Sequence, residues 1–163
     1  MKAGILSDTH LANPGREFTR LIERCFASCD VIIHAGDLTG VKVLDAFSGY
    51  EVHAVHGNMC DAVSSRSLPR EKTFQLGNFI LGLTHGAHLG PDIEQNLWHL
   101  FPEADCMIYG HTHRPVCSRQ GGVLIINPGS FRSTGRFGAP GTYAILEIED
   151  SLHATIHEVP SAP

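Results

Sequence analysis

The sequence lacks the features that mark membrane, secreted and nucleic-acid-binding proteins. In its 163 residues no apolar run approaches the roughly 20 residues that a membrane helix requires. The five cysteines are an odd number without paired spacing, and apolar strand character begins directly after Met1 and Lys2. We therefore expect no signal peptide and a reducing cytoplasm.

The charged residues show no excess of basic side chains. Lysine and arginine are scattered singly in a chain whose formal net charge is −5, which disfavours stable binding to nucleic acid or to a membrane surface. With no internal repeat and no low-complexity segment, the length predicts one domain over 1–163. We expect a monomer or homodimer whose partner is a small anionic molecule.

Seven nitrogen and oxygen donors recur along the chain, each after a short apolar run and beside a glycine or another small residue. They are Asp8, His10, Asp37, Asn58, His85, His111 and His113. If the apolar runs are strands of an α/β sheet, their ends converge on one crevice, and the donors meet there. Imidazole, carboxylate and amide donors suit Mn, Fe, Co, Ni or Zn better than Ca or Mg. The absence of cysteine from the set disfavours a structural thiolate zinc site.

The hydrophobic pattern predicts alternating strands and helices, and therefore an α/β fold. The apolar runs before the donors predict strands at 4–7, 31–33, 52–55, 79–83 and 106–109. Three- and four-residue apolar spacing predicts helices at 14–28, 41–47 and 92–100. Later strands are predicted at 115–118, 123–126, 142–148 and 153–159, with a hairpin at Gly121-Gly122. We expect a polar loop at 131–141 and a frayed end at 160–163.

The order of the donors resembles that of the calcineurin-like metallophosphoesterases, and the short length resembles their small bacterial and archaeal phosphodiesterase branch. The matching segments are 5–10, 34–37, 57–61, 83–86, 109–113 and 126–130. The resemblance implies a four-layer sandwich, in which two mixed β-sheets pack face to face and are flanked by helices. It also implies a metal-dependent hydrolase that cleaves phosphate esters, most simply a phosphodiesterase.

The same resemblance implies two divalent transition-metal ions, with manganese expected and Ni, Fe, Co or Zn as alternatives. One ion would be held by Asp8, His10, Asp37 and His113. The second would be held by Asp37, Asn58, His85 and His111. Asp37 would bridge the two ions, and Asp37, Asn58 and His85 would act most directly in catalysis. A metal-bound hydroxide would attack the phosphorus, so no serine or cysteine nucleophile is needed.

Met59 stands where many members of the family have a histidine after the Gly-Asn pair. A thioether cannot donate a proton. The general-acid step therefore falls to another group, such as His56 or His88, falls to water, or is skipped for good leaving groups.

Four side chains are candidates for substrate contacts: His88, Arg114, Arg132 and Arg136. For each the competing interpretation is an ordinary solvated side chain. We interpret 127–130, Asn-Pro-Gly-Ser, as a tight turn without a direct catalytic role. His34 precedes Gly36-Asp37 and is expected to hydrogen-bond to a ligand.

Two other functions compete with the phosphodiesterase hypothesis. The first is a metal-binding scaffold for protein assembly, because the retromer scaffold subunit is similar to this fold. Scaffolds of that kind tend to lose a ligand histidine, whereas all seven donors are present here. The second is a metal-dependent nuclease, which the acidic balance disfavours.

Overall fold

The computed structural model describes residues 1–133 and 139–160. The strands are β1 (Lys2–Leu6), β2 (Val31–His34), β3 (Glu51–Ala54), β4 (Glu71–Leu76), β5 (Phe79–Thr84), β6 (Cys106–Ile108), β7 (Val116–Gln120), β8 (Val123–Asn127), β9 (Thr142–Ile148) and β10 (Leu152–Glu158). The α-helices are α1 (Arg16–Phe26), α2 (Ala62–Ser67) and α3 (Ile93–Leu100). Short 3₁₀ helices span Val41–Phe47 and Ala87–Leu89.

The strands form two five-stranded mixed sheets. The first sheet has the order β10-β9-β1-β2-β3, in which β1, β2 and β3 are parallel and β9 and β10 are antiparallel to their neighbours. The second has the order β4-β5-β6-β8-β7, with β5, β6 and β8 parallel and an antiparallel strand at each edge. Parallel strands in both sheets place several carboxyl ends at one edge of the molecule.

Side-chain alternation in β1 shows how the layers pack. Ala3 and Ile5 point into a core between the two sheets, whereas Leu6 points to the other face and packs in the cluster that contains Phe26 of α1. A third cluster, which includes Leu97 of α3, covers the outer face of the second sheet. The layers are therefore helix, sheet, sheet and helix, and the expected four-layer α/β sandwich is confirmed.

Most predicted elements are present, with different bounds or type for some. The first helix is shorter than 14–28, and 41–47 is a 3₁₀ helix. α2 and β4 were not predicted. The segment of α2 offers no apolar face, and its start is fixed by the Asp61 side chain, which accepts a hydrogen bond from the Ser64 backbone N–H at 2.7 Å.

Several expectations concern the ends and surface of the chain. The described residues do not include 134–138 or 161–163. Arg136, part of the expected polar loop and most of the expected frayed end therefore lie outside the described residues. In the described ranges no helix is both long and apolar enough to cross a membrane.

Candidate metal centre

The loops that follow the parallel strands carry all seven predicted donors. Asp8 and His10 follow β1, and Asp37 follows β2. Asn58 follows β3, and His85 comes directly after β5. The remaining donors, His111 and His113, follow β6. Because β1–β3 and β5–β6 are parallel, their carboxyl ends bring these loops together at one edge of the sandwich.

Asp8 is the centre of the first group of donors. Its carboxylate is fully buried, and Oδ1 lies 3.0 Å from His113 Nε2 and 3.8 Å from His10 Nε2. One ligand atom from each of these three side chains lies within 4.8 Å of the others. The group therefore has the size and donor types of a transition-metal site.

Asp8, Asp37 and His85 form a second group of the same size. The Nε2 atom of His85 lies 3.2 Å from Asp37 Oδ2 and 3.1 Å from Asn58 Oδ1. On its other side, His85 Nδ1 donates to the carbonyl oxygen of Ala35 at 2.8 Å. This bond selects the tautomer in which the lone pair of Nε2 faces two oxygen acceptors. Such an arrangement needs a cation or a second proton between its members, and a divalent ion fits the donor set.

His111 packs beside the second group without completing it. Its ring centroid lies 5.3 Å from that of His85, and its backbone N–H donates to Asp8 Oδ2 at 3.3 Å. The structure thus brings all seven donors into one cluster. Within the described chain, the groups of three imidazole or carboxylate ligand atoms that lie within 4.8 Å of one another contain Asp8, His10, Asp37, His85 and His113.

Five of the seven donor residues have left-handed backbone conformations. The φ angles are 57° for Asp8, 49° for His10, 54° for Asp37, 67° for His111 and 57° for His113. For a residue with a side chain this conformation costs on the order of 1 kcal/mol. It persists only where surrounding contacts hold the backbone, and such positions cluster at functional sites.

Two glycines allow the donor loops to approach one another. A Cβ at Gly57 would overlap Asp37 Oδ1, and a Cβ at Gly110 would overlap the Ser7 hydroxyl and lie 3.1 Å from Asp8 Oδ2. The small residues beside the donors are therefore required by the packing of the carboxylates.

The charges of Asp37 and His85 each favour the ionised form of the other. Burial raises the pKa of Asp37, yet the hydrogen bond and charge of His85 and the Met59 backbone N–H outweigh it and lower that pKa overall. For His85, burial lowers the pKa, but Asp37 and Asp8 outweigh this effect and raise it. A metal ion at this position would compete with a proton for the Nε2 lone pair of His85.

His34 supports the site from inside the fold. Its Nδ1 accepts a hydrogen bond from the Gly36 N–H at 3.2 Å, so Nε2 donates to Thr9 Oγ1, also at 3.2 Å. These partners flank the donors, so the expected bond to a ligand itself is wrong. Complete burial and then the nearby charge of His85 lower the pKa of His34 to about 3, and the ring stays neutral.

The three described candidates for substrate contacts have different surroundings. Arg132 is exposed, and its Nη1 lies 3.5 Å from the carbonyl oxygen of His10. Arg114, next to the last donor, is also exposed, and His88 lies 3.7 Å from Glu71 Oε2. Roles for these three side chains in substrate binding stay predictions.

The backbone of Met59 contacts the site, whereas its side chain is exposed. Its backbone N–H donates to Asp37 Oδ1 at 2.7 Å, and its side chain is 58% exposed. The side chain therefore projects into solvent beside Asn58, where it can contact a bound molecule but cannot donate a proton.

The turn at 127–130 contributes more to the site than its sequence predicts. Asn127 Nδ2 donates to the Gly110 carbonyl at 2.8 Å, and the Ser130 hydroxyl lies 3.2 Å from the Asp8 carbonyl. Both side chains are buried. The only sequence signal for this role is a polar residue at each end of a Pro-Gly turn that follows an apolar strand.

Comparison with known proteins agrees with this geometry. A probable metallophosphoesterase of Methanothermobacter thermautotrophicus is 35% identical over 133 residues, which cover 80% of this chain and 77% of that protein. A phosphodiesterase of Methanocaldococcus jannaschii is 28% identical over 173 aligned positions, covering 96% and 98% of the two chains.

Solved structures show the same fold. The zinc complex of Vps29 from Entamoeba histolytica superposes with a TM-score of 0.73 at 22% identity, covering 98% of this chain and all of that one (100%). The family model of the calcineurin-like phosphoesterase superfamily domain matches residues 1–151. The chain belongs to the calcineurin-like phosphoesterase superfamily.

Proposed function

We propose that this protein is a phosphodiesterase that binds two divalent metal ions at the donor cluster. The observation that carries the proposal is the orientation of His85, whose Nε2 lone pair faces Asp37 and Asn58 while Nδ1 is committed to Ala35. A buried lone pair among oxygen acceptors is the arrangement expected of a metal ligand with a fixed tautomer.

The seven donors divide between two ions in this proposal. The first ion would be held by Asp8, His10, Asp37 and His113. The second would be held by Asp37, Asn58, His85 and His111. The short distances from Asp8 to His113 and from Asp37 to His85 support this division. When bound, the ions would lower the pKa of water and neutralise charge on the phosphate.

The chain's own residues would orient the ions and the substrate. The Met59 N–H holds one oxygen of the Asp37 carboxylate at 2.7 Å, which leaves the other facing His85. Arg132, Arg114 and His88 are the proposed contacts for the substrate phosphate. Because Met59 cannot protonate a leaving group, diesters with good leaving groups should react best. The phosphodiesterase name of the Methanocaldococcus relative supports the choice of a diester.

The test compares a chromogenic phosphodiester with its phosphomonoester, using protein stripped of metal and then supplied separately with Mn, Ni, Co, Zn or Mg. Bound metal is measured on the same samples. Asp37→Asn should lose metal and turnover, because it removes the charge of the shared ligand. Asp45→Asn is the matched control, since Asp45 is exposed on the 3₁₀ helix at 41–47. Metal-dependent diester hydrolysis retained by Asp37→Asn would refute the assignment.

The alternative function is a metal-binding scaffold without catalytic turnover. It is supported by the fold shared with Vps29, one structure of which is a zinc complex. Metal binding by the wild-type protein, with no turnover of either ester under any added metal, would favour this alternative.

A further inference from the structure

Asn127 lies at the end of β8, outside the set of donors, yet it bonds directly to the loop that carries His111 and His113. We propose that Asn127 is a positioning residue for the metal centre, which fixes the backbone of the loop at 110–113. The inference rests on the proposed function, because it concerns the geometry of that metal site.

The hydrogen bonds of Asn127 use its whole amide group. Nδ2 donates to the Gly110 carbonyl at 2.8 Å and to Thr112 Oγ1 at 3.0 Å. Oδ1 accepts from the Gly129 N–H at 2.9 Å. The side chain is 0% exposed, so water does not compete for these bonds. The amide is therefore a fixed link between the turn at 127–130 and the donor loop.

The donor loop has few other restraints, one of which is the hydrogen bond from the His111 backbone N–H to Asp8 Oδ2 at 3.3 Å. At its start the Gly110 N–H donates to the His85 carbonyl at 3.1 Å. Beyond that point, in the part of the chain that the structure describes, the backbone of 111–113 makes no hydrogen bond to the backbone of another segment. His111 and His113 both have left-handed φ angles, which neighbouring contacts must maintain. Asn127 supplies such a contact from a buried position.

The other end of the same turn contacts the first donor loop. The Ser130 hydroxyl lies 3.2 Å from the Asp8 carbonyl and 2.9 Å from the Arg132 carbonyl, and it donates to one of them at a time. The next residue, Phe131, donates its N–H to the Ser7 carbonyl at 2.8 Å. The turn thus connects the loop of Asp8 with the loop of His113. Asp8 Oδ1 and His113 Nε2 lie 3.0 Å apart. A short rigid segment between them sets the spacing of one ion's ligands.

The experiment compares Asn127→Ala and Ser130→Ala with the wild-type protein. Asn96→Ala is the matched control, because Asn96 Nδ2 also donates to a backbone carbonyl, that of Leu89, at 2.8 Å, but from helix α3. Mn²⁺ affinity is measured by calorimetric titration. Amide hydrogen exchange of the peptide that spans 109–114 is measured on the metal-free proteins.

We expect Asn127→Ala to weaken Mn²⁺ binding by about 10- to 100-fold, as is common for groups that orient metal ligands. Exchange at 109–114 should become faster than in Asn96→Ala. Ser130→Ala should weaken binding by a smaller factor, and it tests the proposal even if Asn127→Ala does not fold.

Three outcomes decide the matter. Weaker Mn²⁺ binding with faster local exchange supports the positioning role. Mn²⁺ affinity within twofold of Asn96→Ala for both variants overturns it and leaves the proposed function intact. Absence of binding of Mn²⁺, Ni²⁺, Co²⁺, Zn²⁺ and Mg²⁺ by the wild-type protein overturns the proposed function, and the positioning role fails with it.

Discussion

Replacing Gly57 by alanine tests how closely the backbone must approach the carboxylate of Asp37. The added Cβ would overlap Asp37 Oδ1 and would lie 2.7 Å from both the Asp37 backbone nitrogen and His85 Cδ2. Ordinary contact begins at 3.4 Å, so the Asp37 backbone or the His85 ring must move by about 0.7 Å, and Asp37 Oδ1, which is closer still, must move further. Metal–ligand distances vary by only about 0.2 Å in working sites. The substitution should therefore disrupt the position of both donors.

We expect Gly57→Ala to reduce Mn²⁺-dependent hydrolysis of the diester by about 100-fold, the loss typical of a misplacement near 1 Å. Mn²⁺ affinity should fall in parallel, while the metal-free protein keeps its circular dichroism spectrum. The matched control is Gly15→Ala at the start of α1, because a Cβ at Gly15 meets no atom within 4 Å. Turnover and affinity of Gly57→Ala within twofold of the control would refute the reasoning.

Three further predictions concern stability and leaving groups. Burial lowers the pKa of His34 to about 3 in the folded protein, whereas the pKa is 6.5 in the unfolded chain. Between these values only the unfolded chain binds the proton, so the free energy of unfolding falls as the pH drops below 6.5. This fall reaches about 1.4 kcal/mol per pH unit. In urea titrations of metal-free protein His34→Gln should show a shallower fall between pH 7 and 5, and equal slopes would contradict it. Leu97→Ala removes most of a fully buried side chain of α3 and should lower the free energy of unfolding in urea by about 2–5 kcal/mol. The Mn²⁺ stoichiometry should not change. Met59→His places a proton donor beside Asn58 and should raise turnover of diesters with poor leaving groups by about 100-fold; an unchanged rate would argue against a missing acid.

The strands and the meeting of the donors could be predicted from the sequence because both depend on simple periodic rules. Each donor group follows an apolar run, and parallel strands that carry such runs end at one edge of a sheet. β1, β2, β5 and β6 obey this rule, and their loops bring Asp8, Asp37, His85 and His113 within reach of one another. The resemblance to a known family added the pairing of the two sheets, which periodicity alone does not determine.

Other features depend on contacts that have no local signal in the sequence. Strand β4 alternates exposed residues with half-buried ones. Its Phe74 stacks on His53 of the other sheet, with ring centroids 3.7 Å apart. Helix α2 has the Asp61 cap as a local signal, but it lacks the apolar face that would predict a helix. The left-handed conformations of Asp8 and His111 result from neighbouring loops, since neither residue type requires them.

In the proposed function the seven donors hold the metal ions, but their presence does not by itself distinguish an enzyme from a scaffold. The donors are held by positions that bind no metal: Gly57 admits the Asp37 carboxylate, Gly110 admits the Ser7 hydroxyl next to Asp8, and Asn127 fixes the last loop. A chain could keep every histidine and aspartate, lose one of these three positions, and no longer place its ligands within bonding distance of an ion. In this protein the donors and the positions that hold them are present together. That combination, rather than the donor set alone, is the structural argument for a metal centre, and turnover of the ester substrates then distinguishes an enzyme from a metal-binding scaffold.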